Sequence, residues 1–491
     1  MGLRSVDVLV LGIVVLVMAS ACLNQPTRTN TPASSSTSSL TTSYRERGDV
    51  NPPEILDFNW TPTKIVWDKV YDLKVSFKAS YPPDEISGVK LIFKPENYSY
   101  FITEYGMRRG DYYKVFPNDS RVYELKPVDG VFDKPLEEFE VNITNITGGA
   151  EYWIIIQVQT KNGRTVEYKR KTPYLRQYEN NAKKDNLTIM ALYLLWWGKD
   201  NNWDEYAGSD FSLLGAYSSM DMIVINKHVD WATGYGIDVF LINWPEPGDY
   251  QDHALKEYFL KSDLVAKGDI KFAILYETIW RLVDSHPGWN LSDERNIEIL
   301  TSDFEYLSKN YFQHPAYFRV NGRPFVFVYE SKGFFGDINQ ITILKETFDI
   351  YLVSDHGHPE ADPKTTFRDA IWGNVAKRFD AIMDRWGYEH YSEADMRRWY
   401  GWCNINGIDF IPSATVGLSY KNAPWKFDVP EVPRKTELLK ERIQLALKYV
   451  DPDIKILFIP EFNNFFENSY LEPSTQDGFK YLTTLKSSIF H

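Results

Sequence analysis

Residues 454–473, IKILFIPEFNNFFENSYLEP, decide how the rest of the chain is interpreted. The run 454–459 is almost continuously apolar, which is typical of a strand buried on both faces in a parallel sheet. A carboxylate beside aromatic rings suits acid–base chemistry because burial disfavours its charged form; a solvated surface loop is the plainer alternative. The residues after this strand that could act on a ligand are Glu461, Asn463, Asn464, Glu467, Asn468, Tyr470 and Glu472.

Similar apolar runs precede this one, and longer helical patterns separate them. The eight candidate strands are residues 188–196, 237–244, 271–277, 324–330, 349–355, 378–384, 408–413 and 454–459. The candidate helices are residues 221–234, 254–266, 293–311, 395–404 and 435–449. Eight strands alternating with helices predict an α/β (β/α)8 TIM barrel. A doubly wound open sheet is the alternative, but no glycine-rich phosphate fingerprint follows the first strand.

Nearly every predicted strand ends in a polar or aromatic residue. In a barrel these ends meet at one face, where such enzymes keep their active sites, so we expect one shared site there. The strand-end residues are Trp196, Trp197, Asn243, Trp244, Tyr276, Glu277, Tyr329, Glu330, Asp355, His356, Asp384, Ser413, Thr415 and Glu461.

The N-terminal part of the chain has a different organisation. Residues 1–22 combine a basic residue, an apolar run and small residues before Cys22, which predicts a signal peptide with a lipobox-like cysteine. An ordinary signal peptide and a retained membrane anchor are the alternatives. Residues 23–51 are rich in Ser, Thr and Pro and predict a disordered linker. We therefore expect an extracellular, lipid-anchored protein, and several N-x-Ser/Thr sequons are compatible with surface glycosylation.

Residues 52–175 form short alternating runs with turn signals between them, including Asn162 and Gly163 in a predicted hairpin. This pattern predicts an all-β sandwich of immunoglobulin or fibronectin type, acting as a spacer or accessory module. The barrel domain is then expected over residues 186–491.

Composition and motifs narrow the chemistry. The chain has 491 residues, 15% aromatic content and a formal charge of −13, which disfavours nucleic acid as a partner. It contains no HExxH, CxxC, GxSxG or Walker pattern. His356 and His358 could form a metal site with Asp355 and Glu360, although two such histidines in a loop more often contact solvent or substrate hydroxyls. We predict no metal and no cofactor; what remains is an acidic, aromatic cleft of the kind that hydrolyses glycosides.

Five segments carry a family resemblance, in this order along the chain: YLLWW, LLGAYSSMDMIVINKHVDWATGYGIDVFLINW, YFQHPAYFRVNGRPFVFVY, GIDFIPSATVGLSY and FNNFFENSYLEPSTQDGFKYL. Together they resemble glycoside hydrolase family 99, the endo-α-mannosidases, and the related WbsX-type surface-polysaccharide proteins, over residues 189–485. The resemblance implies a (β/α)8 barrel that acts on α-mannose-containing glycans and retains anomeric configuration with help from the sugar 2-hydroxyl.

The last-strand motif of that family resembles FNEWHEGTxIEP, and Asn463, Glu467 and Glu472 match it. The resemblance implies that Glu467 is the general acid. The family's first glutamate, its base, falls on Asn464, and an amide cannot accept a proton. The candidates to replace this base are Glu461, Glu277, Glu330 and Asp355.

The sequence thus predicts an exported glycosidase that acts on an α-linked oligosaccharide or polysaccharide, with Glu467 and Glu461 as catalytic residues. A non-catalytic glycan-binding lipoprotein is the alternative that Asn464 favours, while export weakens the case for a polysaccharide-assembly enzyme. Asp221 is expected to cap a helix. The predicted substrate-binding residues are Trp196, Trp197, Trp244, Glu277, Glu330, Asp355, His356, Asn463, Asn464, Tyr470 and Glu472.

Overall fold

The computed structural model describes residues 52–61, 71–81, 86–95, 120–146, 152–171, 186–284, 288–355, 373–383, 393–426 and 430–490. The predicted signal peptide, linker and lipidated Cys22 lie outside these ranges, and so do His356, His358, Glu360 and Asp384.

Two antiparallel sheets make up the N-terminal part. One has the order β1-β2-β5 and the other β4-β3-β6-β7. Alternate residues of β2, β3 and β5 are buried, as the period-two pattern predicted, and the predicted hairpin joins the last two strands with Gly163 at φ 82°. An immunoglobulin-like topology stays a prediction. The strands are β1 Glu54–Thr61, β2 Tyr71–Ser80, β3 Ile86–Pro95, β4 Arg121–Leu125, β5 Leu136–Ile146, β6 Tyr152–Thr160 and β7 Thr165–Lys171.

All eight predicted barrel strands form, each within about three residues of its expected bounds. Their apolar runs are buried on both faces, as a parallel sheet under helices requires. The barrel strands are β8 Thr188–Tyr193, β9 Val239–Trp244, β10 Lys271–Tyr276, β13 Arg323–Val328, β15 Tyr351–Asp355, β16 Ala381–Met383, β17 Asp409–Ile411 and β18 Ile456–Ile459. Three two-residue strands accompany them: β11 Trp289–Asn290, β12 Arg319–Val320 and β14 Phe334–Phe335.

The barrel strands run parallel in the order β17-β16-β15-β13-β10-β9-β8-β18. The two ends of this sheet meet through a single bridge: the amide of Ala414 donates to the carbonyl of Phe458 at 2.9 Å, and the amide of Phe458 donates to the carbonyl of Pro412 at 3.0 Å. The result is a nearly closed eight-stranded parallel barrel, which fits the predicted TIM barrel and rules out the open-sheet alternative.

Helices occupy most of the predicted positions around the barrel. The predicted cap is confirmed, since the Asp221 carboxylate accepts hydrogen bonds from the amides of Ile223 and Val224. The predicted helix 254–266 is interrupted, because the backbone of Ser262 is extended while its hydroxyl donates to Asn226 at 2.6 Å. No described helix is both long and apolar enough to cross a membrane. The helices are α1 Met222–Gly234, α2 Tyr250–Glu257, α3 Asp263–Ala266, α4 Glu294–Leu307, α5 Asn339–Phe348, α6 Glu393–Asn406, α7 Thr436–Leu447 and α8 Lys480–Ile489.

Helix α1 buries a lysine, and this gives a pH-dependent prediction. Lys227 has no exposed surface, and burial lowers its pKa from 10.5 to about 7, although Asp230 opposes the shift. Between these two pH values the unfolded chain binds one more proton than the folded chain at this site. The free energy of unfolding should therefore rise with pH, by about 1.4 kcal/mol per unit from this group. Denaturant titrations at pH 7, 8 and 9 should show that the free energy of unfolding rises more steeply with pH in the wild type than in Lys227→Met. An equal dependence on pH in the two proteins would contradict the prediction.

Candidate active site

The alternation of side chains along the barrel strands determines which strand-end residues face the mouth. Residues at alternate positions, such as Leu192, Leu241 and Leu275, form a buried cluster inside the barrel. Backbone pairing continues past the strand ends, since the amide of Glu277 donates to the carbonyl of Trp244 and the amide of Tyr329 donates to the carbonyl of Tyr276. Continuing the alternation one step toward the carboxyl ends gives the mouth-facing layer: Trp196, Asn243, Glu277, Tyr329, Asp355 and Ser413.

The loop after β18 is buried almost throughout. Between residues 460 and 474 only Glu467 and Asn468 are partly exposed. The main chain of Glu467 is held on both sides, because its amide donates to the Asn464 side-chain oxygen at 3.2 Å and its carbonyl accepts from the amide of Ser419 at 2.8 Å. Asn468 has φ 53°, a conformation that Asn tolerates better than most residues. The loop thus presents one partly exposed carboxylate from a fixed backbone.

Two partly exposed tryptophans pack on Phe466, the residue before Glu467. Its ring packs against Trp425 with centroids 5.0 Å apart and meets the ring of Trp196 edge to face at 6.1 Å. Both tryptophans keep some exposed surface. Trp196 therefore stays a candidate for stacking on a sugar, and Trp425 is a second one that the sequence analysis missed. Its only sequence signal is an aromatic residue in the long segment between β17 and α7.

Glu461 is the other carboxylate near the start of this loop that could take part in chemistry. It is 5% exposed and accepts a hydrogen bond from the hydroxyl of Ser469 at 2.7 Å. Ser469 follows Asn468, so this bond ties the two ends of the turn that carries Glu467 together. Glu461 is thus tied to the turn that carries the partly exposed Glu467.

Asn463 and Glu472 were predicted to bind substrate, but the structure gives them internal roles. Neither side chain is exposed by more than 1%. The Asn463 amide pairs with both main-chain groups of Leu194 at 2.9 Å and donates to the hydroxyl of Tyr217 at 3.1 Å. Glu472 accepts from Tyr217 at 2.8 Å, from His228 at 3.0 Å and from Ser212. These residues hold the loop in place and do not reach the mouth.

The groups around Glu472 act as hydrogen-bond donors to its carboxylate. Burial, followed by the Glu472 carboxylate, raises the pKa of Tyr193 and Tyr217 well above its usual range, so both hydroxyls stay donors. A carboxylate only accepts, so Nε2 of His228 donates to Glu472 at 3.0 Å, while Nδ1 of the same ring pairs with the Tyr193 hydroxyl at 2.9 Å. Three donors therefore converge on one buried carboxylate, as a buried charge requires.

Three more residues that were predicted to contact the substrate are buried in the structure, so these predictions are corrected. Trp197 and Trp244 have no exposed surface, and their indole N–H groups donate to the carbonyl of Asn463 and to Asp252. Tyr470 is 1% exposed, stacks on Phe465 and donates its hydroxyl to Asp210. None of these rings can stack on a ligand in this conformation. Asn464 is likewise buried, and its side-chain oxygen caps the turn at Glu467.

The remaining predicted acids divide between the mouth and the outer wall. Glu277 and Asp355 belong to the mouth-facing layer, and both are nearly or fully buried. Glu330 lies one residue beyond that layer, and its carboxylate pairs with Lys332 at 3.1 Å. Its amide donates to Asp355 at 3.1 Å. Glu277 and Asp355 thus belong to the layer at the mouth, whereas Glu330 keeps more exposed surface and pairs with Lys332.

The metal site considered for Asp355, His356, His358 and Glu360 falls mostly outside the described residues. Among the described residues, one group of acids has ligand atoms close enough together to hold an ion: Asp129 and Asp133, between β4 and β5, and Glu137 in β5. Lys134 pairs with Asp129 in that group, and Glu137 accepts the amides of Asp133 and Lys134.

Comparison with known proteins points to one family. The model of glycosyl hydrolase family 99 matches residues 195–340, a segment that ends before the loop with Glu467. A glycoprotein endo-alpha-1,2-mannosidase of Xenopus laevis is 23% identical over 297 residues, which cover 56% of this chain and 60% of that protein. The chain thus spans less than two thirds of this curated relative.

Two solved structures are also similar. A GH99 endo-alpha-mannosidase from Bacteroides thetaiotaomicron is 17% identical, with a TM-score of 0.49 over 62% of this chain and 96% of that one. A putative beta-galactosidase from Bacteroides fragilis is 12% identical, with a TM-score of 0.33 over 83% of this chain and 54% of that one. The family model and the curated relative confirm the resemblance to glycoside hydrolase family 99 that the sequence motifs carry, and the model places it over residues 195–340.

Proposed function

We propose that this chain is a glycoside hydrolase that acts on mannose-type glycans, with Glu467 as its general acid and base. The observation that carries the proposal is the exposure pattern of the loop after β18, where Glu467 is the one partly exposed carboxylate among residues 460–474. Phe466, the residue before it, packs against Trp196 and Trp425, which both keep some exposed surface. A carboxyl group in such surroundings can hold a proton and deliver it to a departing glycosidic oxygen.

A second carboxylate is needed to complete the reaction. Glu461 is our first choice because the bond from Ser469 fixes it beside the turn that carries Glu467. Glu277 and Asp355 in the mouth-facing layer are the alternatives. The separation between the acid and this partner determines whether anomeric configuration is retained or inverted.

A second function is favoured by Asn464. Its amide stands where the family has a base, it cannot accept a proton, and its oxygen is already bonded to the amide of Glu467. The second candidate is therefore a barrel that binds glycans without cleaving them.

The proposal predicts hydrolysis of α-linked manno-oligosaccharides. The purified full-length chain would be incubated with a panel that includes α-1,2-linked mannobiose and mannotetraose, and released sugars would be resolved by chromatography. We expect sugar release from at least one α-mannoside. Binding of these sugars without any release would reject the hydrolase and support the second candidate.

A further inference from the structure

The turn after β10 exposes a tryptophan at the rim of the barrel. Trp280 is 53% exposed and Ile279 is 40% exposed. Among the tryptophans that the structure describes, Trp280 is the one with more than half of its surface in solvent. Single exposed apolar residues are common, so exposure alone would mean little. Whether Trp280 can bind a ligand depends on how rigidly its turn is held and on which face of the barrel the turn lies.

The turn that carries Trp280 is anchored at both ends. The Thr278 hydroxyl donates to the carbonyl of Tyr329 at 2.6 Å, and the amide of Leu282 donates to the carbonyl of Thr278 at 2.9 Å. Arg281 donates two hydrogen bonds of 2.7 Å to Asp303 on α4. It also pairs with Glu246, in the segment after β9, at 3.0 Å. A ring presented from such a turn loses little conformational freedom when a ligand covers it.

Trp280 lies on the same face of the barrel as Glu467. It follows β10 by four residues, and Glu277, the first residue after that strand, belongs to the mouth-facing layer. Glu467 follows β18. The strand order β18-β8-β9-β10 separates the two loops by three strand intervals, about 14 Å along the wall at the usual spacing. A ligand that reaches both must be longer than one sugar ring.

We propose that Trp280 is a distal stacking platform for a glycan chain whose reacting bond lies at Glu467. The electron-rich face of the indole attracts the C–H groups on the apolar face of a pyranose ring, and Ile279 extends the apolar surface. The proposed ligand is an oligosaccharide long enough to cross the mouth of the barrel. The residues at the strand ends do not by themselves indicate a ligand of that length. This inference rests on the proposed function, because the glycan is the occupant that links the two loops.

The test compares ligands of two lengths in a chain that binds without turnover. In the full-length Glu467→Gln background, calorimetry would measure binding of α-1,2-linked mannobiose and mannotetraose before and after Trp280→Ala. We expect about a tenfold loss of affinity for the tetraose and less than a twofold change for the biose. Trp280→Phe should recover most of the loss. Ile405→Ala, at a site on α6 that is 87% exposed, is the matched control and should change neither value.

The outcomes separate this inference from the function on which it rests. If the wild type cleaves mannosides and Trp280→Ala binds the tetraose normally, the platform is rejected and the proposed function stands. Equal losses for both ligands would also reject a distal role. A change in oligomeric state with unchanged glycan affinity would identify Trp280 as a protein contact and overturn the proposal. If the wild type neither binds nor cleaves the probes, the proposed function fails and this inference fails with it.

Discussion

Replacing Glu467 by glutamine is expected to slow glycan cleavage by about one hundred- to ten-thousandfold, the usual contribution of a general acid. Glutamine keeps the shape of the side chain, but its amide is too weak an acid to protonate the glycosidic oxygen. The fold should survive, because the described anchors of Glu467 to Asn464 and Ser419 use its main-chain amide and carbonyl. Initial rates on α-mannosides, measured with saturating substrate, would report the loss.

A matched control separates the missing proton from the change of residue. Glu298→Gln makes the same substitution at an exposed position on α4 and should leave the rate unchanged. Substrate affinity should stay within a few-fold of wild type in both variants, since the proton transfer belongs to the transition state. Equal rates for Glu467→Gln and wild type would remove Glu467 from the mechanism and return the search for the acid to Glu461, Glu277 and Asp355.

The barrel could be predicted from the sequence because its strands are buried on both faces. Each strand is then a continuous apolar run, and eight such runs between helical patterns leave few other folds. The same property hides which side chains point inward. Trp196 and Trp197 are adjacent and equally aromatic, yet Trp196 is partly exposed and reaches the cluster inside the barrel, whereas Trp197 is fully buried in the outer core alone. Because polar and apolar residues do not alternate in these strands, the sequence does not reveal which of two neighbouring side chains points into the barrel.

The polar residues after β18 were misjudged for a related reason. A polar side chain beyond a strand is expected to meet solvent or ligand, whereas Asn463 and Glu472 meet partners from distant parts of the chain. His228 and Tyr217 lie more than two hundred residues away in sequence. No local pattern announces such pairs. Trp280 and Trp425 were missed because their importance depends on exposure and on loop geometry, which composition does not show.

Replacing Glu472 by glutamine is expected to lower the free energy of unfolding by about 2–5 kcal/mol. Ser212, Tyr217 and His228 all donate to this carboxylate. Glutamine offers one oxygen in place of two and turns an N–H group toward a donor, so at least one buried donor loses its acceptor. Urea unfolding followed by circular dichroism would show a lower midpoint at unchanged slope. Glu298→Gln serves again as the control and should unfold like the wild type.

The interpretation of Glu472 as part of one network requires coupling as well as destabilisation. The Tyr217 hydroxyl donates to Glu472 and accepts from Asn463, so Tyr217→Phe weakens both anchors of the loop that carries Glu467. The double variant combines Tyr217→Phe with Glu472→Gln, and each substitution alone already removes or weakens the hydrogen bond between these two residues. Its loss in free energy of unfolding should therefore be smaller than the sum of the two single losses, by about 0.5–3 kcal/mol. Strict additivity would mean that the two residues act separately. Glu472 would then be one more buried acid, and the position of Glu467 would depend on the local turn at Asn464 alone.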